Sequence, residues 1–186
     1  MEISQIYSII KRDCSYYIDL LNTCKKGHYL LRGYNYKIQS IKRFDHDLEN
    51  RKPRNMPPDI HYKINNYFLE KFGWKIRNGI FCYGFDITSG NPVELGYGPF
   101  HLFFPIGKFE YVFSDTHFDL FGSINFLRED LDNFIKNLDF EDSNFCKVMR
   151  TRAQFHNFGN EVSIRANSYY LVSLSIANTL TEKIWL

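Results

Sequence analysis

The segments of this chain that read as strands fall in clusters, separated by helical stretches, and this order limits the fold more than any single motif. "KIRNGIFCYGF" (75–85), "PFHLFFPIGKFEYVFS" (99–114) and "NEVSIRANSYYLVSLSIAN" (160–178) are rich in aromatic and β-branched residues and are interrupted by glycine, proline or asparagine. The second is expected to give one or two strands broken between Pro105 and Gly107, and the third two strands joined near Ala166 to Ser168. A doubly wound parallel sheet needs strands that alternate strictly with helices, so the clustering points to an α+β fold in one domain.

Helical periodicity brackets these clusters. Ile3, Ile6, Ile10, Cys14, Tyr17, Ile18 and Leu21 predict one amphipathic helix over 3–21, with "KKG" at 25–27 suited to its end. "PPDIHYKINNYFLEKFGW" (57–74) starts on prolines and ends on Gly73, and Leu127, Leu131, Phe134, Ile135 and Leu138 mark a helix over 123–138. Between the first strand, "HYLLRGY" (28–34), and the second helix, residues 35–58 carry many charges and prolines and read as a long loop.

Composition removes several functions. With 23 Lys and Arg against 21 Asp and Glu, the net charge of +2 makes no field strong enough to pull the whole molecule onto nucleic acid, although a local basic patch stays open. Cys14, Cys24, Cys82 and Cys146 form no C-x-x-C pair, so reduced thiols in a cytoplasm are expected, and neither a zinc site nor any other metal site. The first residues carry an acid at Glu2 and no long apolar run, so neither a secretory signal nor a membrane span is expected. There is no phosphate-loop motif and no nucleophile elbow.

What remains is polar residues set among apolar ones. Arg32 and Gly33 stand in and at the end of the first strand, and a guanidinium there needs an anionic partner or solvent. Glu161 opens the strand "EVSI" after "NFGN". Read singly, each is an edge-strand residue.

Read in order, "LLRG", "NGIFCYG", "GYGPFHLFFPIGKFEYVFS", and "EVSI" before "YYLV" resemble the ADP-ribosyltransferase superfamily of the arginine–serine–glutamate type. The resemblance implies a split β-sheet core flanked by helices, with an N-terminal helix (1–26) and an NAD-binding core (27–186). It implies NAD as co-substrate, bound between an arginine on a first strand, a Ser-Thr-Ser on a second and a glutamate on a late strand. Glu161 and Arg32 would be the catalytic residues, with Arg32 on the pyrophosphate and Gly33 beside the carboxamide of nicotinamide.

Cys82 and Tyr83 stand where that family has its serine motif, and Gly159 stands where arginine-modifying members carry Glu or Gln. Phe81 or Tyr97 could sandwich the nicotinamide. Arg51, Lys52 and Arg54, beside Tyr34, Tyr36 and Tyr62, are candidates for the second substrate. The implied activity is mono-ADP-ribosylation of a macromolecule by a small intracellular toxin or phage-related effector, in a toxin–antitoxin or anti-phage setting, with room for an antitoxin protein. Nucleic acid is the favoured acceptor, RNA first. A protein acceptor, or a non-catalytic module that binds NAD, RNA or a partner, is the alternative.

Overall fold

Eight antiparallel strands form one sheet in the computed structural model of the chain, which describes residues 1–51, 56–90, 92, 98–114, 133, 135, 139–149 and 158–185. In chain order the elements are α1 (Ile3–Asp13), α2 (Ser15–Asn22), β1 (His28–Gly33), β2 (Ile41–Asp45), α3 (Pro58–Phe72), β3 (Ile80–Asp86), β4 (Phe100–Pro105), β5 (Glu110–Ser114), β6 (Phe140–Glu141), β7 (Phe158–Arg165), β8 (Ser168–Val172) and α4 (Ala177–Ile184). Across the sheet they run β2-β8-β4-β1-β3-β7-β5-β6. The mixed α+β architecture expected from the clustered strands is the one observed. The helix expected over 123–138 lies almost wholly outside the described residues.

Leu31 is where the sheet divides. β1 pairs with β3 from His28–Asp86 to Leu31–Tyr83, and with β4 from Leu31–Leu102 to Gly33–Phe100. Only at Leu31 does β1 hold both neighbours at once. A single cross-strand row therefore runs Val172, Leu102, Leu31, Tyr83, Glu161 over five strands.

Helices α1 and α2 pack on this division. Fully buried Tyr17 meets the rings of Phe104, Phe109 and Phe145 edge-on at 5.4, 6.0 and 5.9 Å, and its hydroxyl accepts the Leu30 N–H at 2.8 Å. On β1, Tyr29 packs against Trp185 after α4 and bonds Thr181 within it. A second cluster, built on Ile64, Phe68, Trp74, Ile76 and Val112, seats α3. Its helix ends as its sequence asks, with Gly73 in the left-handed region at φ 76°.

Four expectations are corrected. The single helix over 3–21 is two, broken at Cys14, because the Asp13 carbonyl accepts the Gly107 N–H at 2.8 Å and is lost to the helical ladder. The long loop contains β2, an edge strand held only by β8, whose "IKRFD" leaves Lys42 and Arg43 exposed and so lacks clean alternation. The strand expected from Lys75 begins only at Ile80, after a short 3-10 turn over Ile76–Asn78.

The fourth concerns the thiols: Cys24 and Cys146 form a disulfide, leaving Cys14 and Cys82 as buried free cysteines. The pair was invisible at a separation of 122 residues; folding brings the end of α2 against the 3-10 turn Phe145–Lys147. Such a bond is uncommon in a reducing cytoplasm. Among the described residues, no helix is long and apolar enough to cross a membrane.

Candidate functional site

The three strands expected to carry the site, β1, β3 and β7, are consecutive neighbours in the sheet. Tyr83 on β3 stands directly opposite Glu161 on β7. Directly opposed residues share a face with Cβ atoms about 5 Å apart. Glu161 is half-buried, next to the bulge where the β3–β7 register shifts between Tyr83 and Phe85. The Asn160 N–H is held at that bulge by the Val148 carbonyl at 3.1 Å.

Arg32 lies one row from Leu31, and alternation along β1 turns its Cβ to the face opposite that of Glu161. The two side chains do not rise from one face as a simple pair. Past Leu31, however, no β1–β3 ladder stands in the way, and the guanidinium donates from Nη1 to the Phe81 carbonyl on β3 at 2.8 Å. It sits where the strands part. Its Cζ is 5.7 Å from the centre of the Tyr169 ring, and its Nε is buried with no hydrogen-bond partner among the described residues. Two strand spacings and one row put the Arg32 and Glu161 backbones on the order of 10 Å apart.

Cys82 is completely buried, and burial pushes its thiol up to about 12, with Arg32 opposing the shift and Glu161 adding to it. A thiol so buried is a neutral packing group, and the residue set against Glu161 is Tyr83. Gly33 ends β1 in strand pairing with Phe100, and its φ is not among the positive ones. Tyr97, Lys52 and Arg54 lie outside the described residues.

Phe81 was expected to offer a face to a nicotinamide. Instead Arg51 and Arg77 lie over its ring, with Cζ 4.9 and 4.5 Å from the centroid, and Arg51 also donates to the Gly79 carbonyl. Three guanidinium groups thus converge on Phe81, Arg32 through the carbonyl and the other two through the ring. Nearby, burial pushes His46 below its usual range, helped by Arg51 and Arg32, and does the same to His61, helped by Arg77 and Arg51. The His46 Nε2–H donates to the Asn78 carbonyl at 2.7 Å. Neutral imidazoles beside clustered guanidinium groups make a region suited to an anion.

Tyr83, Arg77, His46 and His61 are the residues that sequence reasoning passed over or left without a role. Arg77 could have been found from its place two residues before the glycine that precedes a strand; His46 and His61 carry no sequence signal. A cavity of about 100 Å³ borders this cluster through Asn78, with Leu48, Leu69, Trp74 and Arg165 also in its lining, and is smaller than the ~300 Å³ at which ligand pockets begin. Comparison with family models, curated proteins and solved structures found no match to the chain.

Proposed function

We propose that this chain is a mono-ADP-ribosyltransferase that moves ADP-ribose from NAD to a nucleic acid, RNA in the first instance, as a toxin or anti-phage effector. The observation that carries the reading is the adjacency of β1, β3 and β7, with Glu161 opposite Tyr83 and Arg32 seated where β1 leaves β3.

In this reading the bond between nicotinamide and C1′ of the ribose breaks, nicotinamide leaves with the electron pair, and a nucleophile of the acceptor bonds to C1′ and loses its proton. Positive charge grows on the sugar as the bond breaks. Glu161 accepts a hydrogen bond from a ribose hydroxyl and stabilises that charge. Arg32 donates to the Phe81 carbonyl and also bonds the Tyr169 phenol and the Cys82 thiol, and its Nε–H, which has no partner among the described residues, suits the pyrophosphate. Arg51 and Arg77 extend the positive surface toward the acceptor.

Tyr83 takes the position of the family's orienting hydroxyl, and its phenol holds the Glu161 carboxylate toward the ribose. Tyr83→Phe is expected to slow transfer about tenfold, the worth of one hydrogen bond to a charged group. Transfer at the wild-type rate would remove Tyr83 from that role.

The direct test is purified protein with labelled NAD and separate pools of RNA, DNA and cellular protein. Label in RNA is expected. Label in no pool, with no nicotinamide released, would overturn the reading; label in protein alone would move the acceptor to that class. Expression in a sensitive host is expected to arrest growth, relieved by Glu161→Gln.

A further inference from the structure

A ladder of rings crosses the free edge of the sheet and ends at Arg32. Tyr36 and Tyr34 are 5.8 Å apart between centroids, Tyr34 and Phe44 5.0 Å, and Phe44 and Tyr169 5.4 Å with their planes 14° from parallel. Tyr169 is then the ring beside the Arg32 guanidinium. Lys42 has its Nζ 5.2 Å from the centre of the Phe44 ring. The ladder grades from solvent to interior: Tyr36 is 70% exposed, Tyr34 and Phe44 are half-buried, and Tyr169 is 6% exposed.

Packing accounts for the inner rungs, since Phe44 and Tyr169 are cross-strand partners that fasten β2 to β8. It does not account for Tyr36, which leaves most of its ring in water at the outer end. Residues 32–42 also carry three cations, Arg32, Lys37 and Lys42, and no carboxylate, in a chain whose net charge is only +2, while Arg43 pairs with Asp45. At the inner end is the Arg32 Nε, buried with no hydrogen-bond partner among the described residues. Rings that become less exposed along a cationic segment, ending on a guanidinium whose Nε–H has no partner among the described residues, match a polyanion with flat, unstacked faces.

We propose that this ladder is a track for a single nucleic-acid strand, whose unpaired bases stack on Tyr36 and the exposed faces of Tyr34 and Phe44 while Lys42 and Arg32 meet its phosphates. The proposal rests on the transferase reading in taking this strand as the acceptor; Tyr169, Phe44 and Lys42 share the face of Arg32, so the strand would reach Glu161 only through the gap where β1 parts from β3. A duplex is excluded because its bases keep their faces inside their own stack. The substrate is thereby narrowed from nucleic acid in general to a single-stranded segment, loop or end.

The test is fluorescence anisotropy of the full chain, without NAD, on a labelled single-stranded RNA of about 12 nucleotides and on the same sequence as a duplex. The single strand is expected to bind at least about tenfold more tightly than the duplex, and Tyr36→Ala to weaken it by about 5- to 100-fold. Lys42→Ala is expected to weaken binding and lower the salt slope by about one. Equal affinity for strand and duplex, or unchanged binding by Tyr36→Ala, would overturn the track; both substituted side chains are exposed, so loss of folding is not a competing account.

RNA binding with no transfer from NAD would leave the track standing and sink the transferase reading. NAD-dependent labelling of protein without RNA binding would do the reverse.

Discussion

Under the proposed transferase activity, Glu161→Gln is expected to lower transfer of ADP-ribose from NAD by about 10² to 10³, with little change in fold or in NAD affinity. The amide keeps the size and one carbonyl oxygen of the carboxylate but carries no charge, so what is lost is stabilisation of the cation that forms as nicotinamide departs. An interaction made mainly in the transition state shows itself in kcat and leaves ground-state binding nearly intact. The measurement is nicotinamide release and label transfer at saturating NAD, with thermal unfolding as the check on folding. Substitution should be tolerated structurally, because Glu161 is half-buried at a bulge rather than enclosed in the core. Transfer that survives would remove Glu161 from the chemistry, whatever became of Arg32.

The comparison with Arg32 separates two kinds of role. Arg32→Lys keeps the charge but loses the planar fork, and a lysine cannot both bond the Phe81 carbonyl and offer several N–H groups in the same plane. Its cost falls on NAD binding as well as on rate, whereas that of Glu161→Gln falls on rate.

The clustered order of strands made the α+β class legible, and the prolines and glycine at the ends of α3 made its limits legible. β2 was not legible because an edge strand with one partner is not obliged to alternate, and Lys42 and Arg43 disguise it as loop. The break at Cys14 comes from the contact of the Asp13 carbonyl with Gly107, ninety-four positions away in the chain, which no local pattern carries. Arg32 and Glu161, each an edge-strand residue when read singly, were singled out by the resemblance, and the structure sets their strands on either side of β3. The cluster around Phe81 was not, because it depends on Arg51 from a loop and Arg77 from a 3-10 turn reaching one ring. Cys82 and Tyr83 are adjacent in sequence, and only the register tells which of them faces Glu161.

Gly84→Ala is expected to be the most damaging small substitution in the described sheet, lowering stability by about 4 kcal/mol and the midpoint of thermal unfolding by roughly 10 °C. A Cβ built on Gly84 would sit 2.7 Å from the Val148 carbonyl carbon, closer still to its oxygen, and 2.9 Å from the Met149 Cα. All of these are backbone atoms, so no side chain can swing aside to make room. Val148 and Met149 are themselves fully buried, and the Val148 carbonyl that would have to move is the acceptor of the Asn160 N–H beside Glu161. The methyl group therefore acts twice: it overpacks the core and loosens the bulge that sets the position of the carboxylate. Gly73→Ala is the control, since a Cβ there meets nothing within 4 Å and costs only the left-handed φ of 76°, about 1 kcal/mol. Equal losses from the two substitutions would show that conformational freedom, not space, is what Gly84 supplies. A large loss at Gly84 alone, with residual transfer in the folded fraction below that of the wild type, would tie the closeness of β3 to Val148 to the placement of Glu161.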